Sequence, residues 1–142
     1  MKNFLLLALL LGAPTLAAQW TVSFHQSFLP FAGLSYGFGD RFRLEARVGT
    51  DLDFNSVTAE GVALFDILDE EDYELYAGLG GHTNDPFNGM VIAMGLNIYP
   101  FAEKRFGFHI ELAPLIGIPL DSVDENTRLR GSWGIRYRFL RK

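Results

Sequence analysis

Apolar and polar residues take turns along nearly the whole chain. In Arg41-Phe42-Arg43-Leu44-Glu45-Ala46-Arg47-Val48 every even position is apolar and most odd ones are charged. Trp20, Val22 and Phe24 alternate with Thr21, Ser23 and His25, and Trp133, Ile135, Tyr137 and Phe139 with Ser132, Gly134, Arg136 and Arg138. A period of two is that of a β-strand with one apolar and one polar face. Eight such segments are predicted, over residues 20–26, 31–38, 41–49, 57–65, 73–80, 90–99, from 106, and 129–139. The fourth alternates poorly at Val62 and Leu64. No helical period stands out after the first residues, and Gly39-Asp40 reads as a two-residue hairpin turn.

The first residues are of another kind. Lys2 supplies a positive charge, residues 4–11 form an apolar run, and Thr15-Leu16-Ala17-Ala18 offers small residues for cleavage. That order reads as a secretory signal peptide over residues 1–18, too short to span a bilayer as a helix. Residues 19–142 are then the mature domain. Its formal charge is negative (−5 for the whole chain), which argues against nucleic acid as a partner. With no cysteine, neither a disulfide framework nor a lipid anchor on cysteine is available.

An even number of strands with hairpin connections is what a closed antiparallel barrel needs, and closure removes the edges that lipid cannot hydrogen-bond. The mature length allows about 15 residues per strand and connection, which suits transmembrane strands of about 9–11 residues. Alternation leaves open whether the apolar face points outward, as in a membrane barrel, or inward, as in a soluble lipocalin-like carrier of an apolar ligand. The aromatics favour outward. Trp20, Phe38, Phe42, Phe65, Tyr73, Tyr99, Phe106 and Phe139 fall at one set of strand ends, as an interfacial girdle does. Phe28, Phe31, Phe54 and Phe87 are expected to form a sparser girdle at the other rim. The polar face combines small residues with Arg43, Glu45, Arg47, Glu60, Glu74, His109, Glu111 and Arg136, a set suited to a narrow interior of paired charges.

Trp133-x-Ile135-x-Tyr137-x-Phe139 resembles the C-terminal strand of bacterial outer-membrane barrels, although Leu140-Arg141-Lys142 follows the Phe. In pattern and layout the mature chain is similar to small outer-membrane barrels of the OmpA/OmpX type. The resemblance implies an all-β fold, a closed antiparallel up-and-down transmembrane β-barrel of eight strands with both termini in the periplasm. It implies an outer-membrane location, contact with outer-membrane lipid, and the barrel-assembly machinery as partner during biogenesis. The expected role is structural or one of surface interaction, without catalysis or cofactor, and with no surface ligand identifiable. A narrow pore for small solutes is the alternative within the membrane.

Several short constellations invite a chemical reading. Arg47 and Glu60 are expected to pair inside the barrel, extended by Glu45, Arg43 and Arg136, as a plug rather than a gate. His25-Gln26-Ser27 has the His-x-Ser spacing of outer-membrane lipid A deacylases. In those enzymes, however, the pair lies near the chain end on the outer surface with a Glu nearby. His109-x-Glu111 is expected as an interior polar pair rather than an acid/base set. Asp51-Leu52-Asp53-Phe54-Asn55 begins like a calcium loop but has Ser56 where the turn needs Gly and Val62 where the bidentate Glu belongs. Asp69-Glu70-Glu71-Asp72 reads as a solvated turn, and Gly33, Gly37 and Gly39 form no phosphate cradle, since no helix follows. Residues 113–126 are the least regular: Ile116, Ile118 and Leu120 continue the apolar face while Pro114 and Pro119 each remove a ladder donor.

Overall fold

The alternation resolves into eight antiparallel strands in a computed structural model that describes residues 19–50, 57–84, 87–117 and 127–139. They are β1 (Gln19–Gln26), β2 (Phe31–Phe38), β3 (Phe42–Thr50), β4 (Val57–Asp69), β5 (Tyr73–Asn84), β6 (Phe87–Ile98), β7 (Phe106–Gly117) and β8 (Thr127–Phe139). Each pairs with its neighbour in sequence, and β1 pairs with β8 to close the barrel. The expected signal peptide, the 51–55 segment with Phe54, and Ile118, Leu120 and the loop after them lie outside the described residues.

Charged residues point in and apolar ones out. Arg43, Glu45 and Arg47 are buried on β3, while Leu44 and Val48 between and beside them are exposed. The same holds on β7 for His109 and Glu111 against Phe108, Ile110 and Leu112. The lumen is not uniformly polar. Val62 and Leu64 of β4 point inward with Val91, Ala93, Ala113 and Leu115 of β6 and β7, forming one buried apolar wall. That accounts for the poor alternation of β4: its inner face changes from charged to aliphatic at Val62.

Glycines on one strand receive the bulk of the strand before it. Val62 and Leu64 stand opposite Gly80 and Gly78, and a Cβ on Gly80 would come within 2.7 Å of Val62 Cα. Tyr76 crosses its ladder partner Gly95, and His109 leans on its partner Gly134. An eight-stranded barrel has little room inside. Each large inward side chain is accommodated where the next strand has none.

Some element ends differ from the sequence expectation. The β2–β3 turn has three residues, because Phe38 pairs with Phe42. Gly39 stands there at φ 74°, a left-handed conformation that glycine adopts without strain. β4 runs past Phe65 to Asp69, so Asp66 continues the inward parity of Glu60, Val62 and Leu64 into the lumen, before a register shift between Asp66 and Leu68. β5 and β6 pair beyond their predicted ends at residues 80 and 90, as far as Asn84↔Phe87. His82 is therefore a strand residue.

Two predicted interface aromatics are not on the outside. Tyr99 is 1% exposed. It continues the inward parity of Val91, Ala93, Gly95 and Asn97, and its hydroxyl donates to Glu74 at 2.8 Å. Phe31, expected in the sparser girdle, is buried at the opposite mouth with the Arg130 guanidinium over its ring at 4.9 Å. Trp20, Phe38, Phe42, Phe65, Tyr73 and Phe139 are exposed on the outer face. Phe106 is half-buried against Phe108, the ring centres being 5.3 Å apart.

Candidate functional site: the buried charge network

Inward residues of seven of the eight strands, all but β2, meet in three tiers. At the mouth farther from the termini, Glu60 of β4 accepts from Arg130 of β8, with Nη2 at 3.0 Å, and lies 2.8 Å from His82 Nδ1 of β5. In the middle, Arg47 of β3 donates through Nε to Glu45 at 2.7 Å and through its two terminal nitrogens to Glu111 of β7 at 2.6 and 2.7 Å. Tyr76 adds a hydroxyl to the same Glu111 at 2.8 Å. A two-pronged guanidinium–carboxylate contact is among the strongest neutralising geometries available to side chains.

The middle tier continues sideways into two histidines. His25 Nε2 is 2.9 Å from Glu45 and 3.0 Å from Ser23 Oγ, and its Nδ1 is 2.8 Å from His109 Nε2. Serine and glutamate thus share one ring nitrogen. A nucleophile relay needs them on opposite nitrogens, so Ser23-His25-Glu45 is not built as one.

At the end nearer the termini, Glu74 of β5 gathers donors. Arg138 reaches it at 3.0 Å, Tyr99 at 2.8 Å and Asn97 at 3.1 Å. Arg136 donates to Asn97 Oδ1 at 2.6 Å. Arg43 pairs with Asp66 and lies over the Tyr76 ring at 4.8 Å. Beneath them opens a vestibule of about 210 Å³ in which Lys104 binds Asp69 at 2.5 Å.

All eight residues singled out for the interior are buried: Arg43, Glu45, Arg47, Glu60, Glu74, His109, Glu111 and Arg136. The partners differ from the simplest expectation. Arg47 and Glu60 are ladder neighbours, but their closest approach is 3.7 Å, and the shorter contacts of Arg47 go to Glu45 and Glu111. A long side chain in a narrow lumen reaches the far wall as easily as the adjacent strand. Arg130, Asp66, His82, Asn97 and Arg138 complete the tiers and were not singled out. For Arg130 and Arg138 the signal was present, since both share the parity of Arg136.

The remaining constellations do not assemble. Ser27 lies in the β1–β2 turn and donates to the Leu29 carbonyl at 2.5 Å, away from inward-facing His25. His109 and Glu111 turn to different partners, His25 and Arg47. Among the described residues no three His, Asp, Glu or Cys side chains are arranged to hold a metal ion.

No protein family and no curated protein matches the chain by sequence. Two solved structures match its shape. A de novo designed transmembrane β-barrel aligns over 87% of this chain and 95% of its own, with a TM-score of 0.63 and 13% identity. The N-terminal β-barrel domain of Pseudomonas aeruginosa OprF aligns over 87% of this chain and 97% of its own, with a TM-score of 0.61 and 18% identity. At such identities the agreement is one of fold: a closed, eight-stranded, antiparallel barrel of the transmembrane type.

Proposed function

We propose that the chain is an integral outer-membrane barrel, exported through its signal peptide, whose lumen is plugged by its own side chains. Its role is structural or one of surface contact rather than catalytic. One observation carries this reading. The outer surface is a continuous apolar belt, with Leu34, Leu44, Leu79, Met94, Ile110 and Leu112 all exposed, while the charges are inside. Water-soluble proteins rarely expose contiguous apolar patches above a few hundred Å², whereas a bilayer requires such a belt.

The plug rests on charge balance. In the network Arg43, Arg47, Arg130 and Arg138 pair with Asp66, Glu45, Glu111, Glu60 and Glu74, and Arg136 donates to Asn97. Leaving one such buried charge unpaired costs about 3–5 kcal/mol, so the tiers are needed to fold whether or not they also regulate passage. The connections at the end away from the termini would then face outward and offer the surface for any partner.

Gel mobility of the envelope fraction, with and without boiling in SDS, tests the placement. A shift on boiling, with the protein in the membrane pellet, supports it; a soluble protein without a shift favours a carrier. Planar-bilayer recordings test the plug. Silent wild-type and Glu60→Ala proteins support it, and discrete conductance that Glu60→Ala alters favours a narrow pore.

A further inference from the structure

The barrel wall is uneven at the top of its closing seam. The β1–β8 ladder runs from Trp20↔Phe139 to Gln26↔Trp133 and stops, because β1 turns back there. β8 carries on to Thr127, paired with β7 as far as Ile116↔Thr127. Beside Leu129 to Ser132, on the β1 side, the chain that follows is the turn after Gln26.

A cavity of about 490 Å³ opens at this step. Phe31, His82 and Leu115, which belong to the inner face, line it together with Leu129 and Gly131, which belong to the outer face. One cavity touches both faces of a sheet only where the sheet is interrupted. It therefore joins the mouth of the lumen to the outer surface sideways, and its size falls within the usual range of small-molecule pockets, about 300–1,000 Å³.

Its chemistry is that of an amphiphile site. Phe28, Phe31, Leu115 and Leu129 provide apolar walls, and Arg128 and Arg130 are its cations, Arg130 being bound to Glu60. No carboxylate lines it among the described residues, whereas Asp40, Asp66, Asp69 and Glu74 line the vestibule at the opposite end. We propose that this step is a lateral entry for a single-chain anionic amphiphile, a long-chain carboxylate drawn from the surrounding bilayer. The carboxylate faces Arg128, and the chain passes Leu129 so that its end lies against Phe31 and Leu115. Arg47 with Glu60 and Glu111 closes the lumen beneath, so the ligand is held at the rim. This inference rests on the membrane placement proposed above.

The full-length mature chain, refolded into phosphatidylcholine vesicles, can be photolabelled with palmitic acid carrying a terminal diazirine and with the matching alcohol, and the adducts mapped by mass spectrometry. Expected are acid adducts at Phe31 and Leu115, which bulk lipid cannot reach from outside, with labelling about tenfold weaker for the alcohol, the effect of one charge-assisted contact. Arg128→Gln should remove that preference. Gly131→Phe should abolish the inner adducts and leave those at Leu44 and Ile110. A Cβ at Gly131 meets only Leu112 Cδ2, at 3.9 Å, so a side chain can start there without collision, and gel mobility verifies that the variant folds. Inner adducts that survive Gly131→Phe, or form equally from the alcohol, overturn the proposal. So do inner adducts that appear only after residues 119–125 are deleted, which would make this chain's own segment the occupant. Absence of adducts at Leu44 and Ile110 as well would overturn the membrane placement itself.

Discussion

Arg47 and Glu111 meet across the lumen through two hydrogen bonds of 2.6 and 2.7 Å, although they are separated by 64 residues in sequence. The pair ties β3 to β7, strands that share no ladder. Removing one partner strands a charge where water is scarce. Arg47→Met should therefore lower unfolding free energy by about 3–5 kcal/mol. The double change Arg47→Met with Glu111→Leu should cost markedly less than the sum of the single ones. Urea unfolding in vesicles, followed by tryptophan fluorescence, measures both. Additive costs would mean that the two residues act independently.

Tyr99 and Tyr73 look alike in sequence and sit on opposite faces. Tyr99 donates to Glu74 at 2.8 Å and accepts from Arg138 at 2.9 Å, whereas the Tyr73 side chain is exposed on the outer belt. Tyr99→Phe leaves buried Glu74 and part-buried Arg138 each short of a partner and should cost about 1–3 kcal/mol. Tyr73→Phe should change stability by less than about 0.5 kcal/mol. Equal effects in the same unfolding assay would place Tyr99 outside.

Glycine positions give a test of packing alone. A Cβ on Gly134 would collide with the Phe24 carbonyl oxygen and approach His109 Cε1 to 2.8 Å, while one on Gly61 meets nothing within 4 Å. The first obstruction is backbone of the paired strand, which cannot step aside without breaking the closing ladder. Gly134→Ala should sharply reduce the fraction of protein that migrates as the compact form on unboiled gels, and Gly61→Ala should leave it unchanged.

Parity made most of this fold readable. Where the inner face is charged or small, as on β3 and over residues 106–113 of β7, alternation alone orients every residue. It failed at Val62 and Leu64, because an apolar residue facing an apolar patch inside the lumen has the same letter as one facing outward. The reason lies on another strand, in Gly78 and Gly80, whose missing side chains make the space. Tyr99 was misplaced for a related reason: an aromatic at a strand end suggests an interface, and only its odd position betrays the Glu74 it serves. The partners of Arg47 were legible only in part. Ladder neighbours follow from hairpin register, but contacts across the lumen depend on barrel tilt and stagger, which no local pattern encodes.

The sign of the outer surface admits one further test that separates the membrane reading from a soluble one. Leu79 lies in the middle of β5 on the outer face, 54% exposed, and Tyr73 lies at the end of the same strand, 41% exposed. In a bilayer a cation at mid-depth costs about 2–4 kcal/mol and one at the interface about 0–1 kcal/mol. Leu79→Arg should therefore destabilise the vesicle-embedded barrel several times more than Tyr73→Arg. A barrel whose outer face meets water would accept either arginine at a cost below about 0.5 kcal/mol. Both variants leave the buried tiers untouched, because their side chains point away from the lumen. A depth-dependent cost is consequently a property of the surrounding phase, and equal small costs at both positions would place the belt in water.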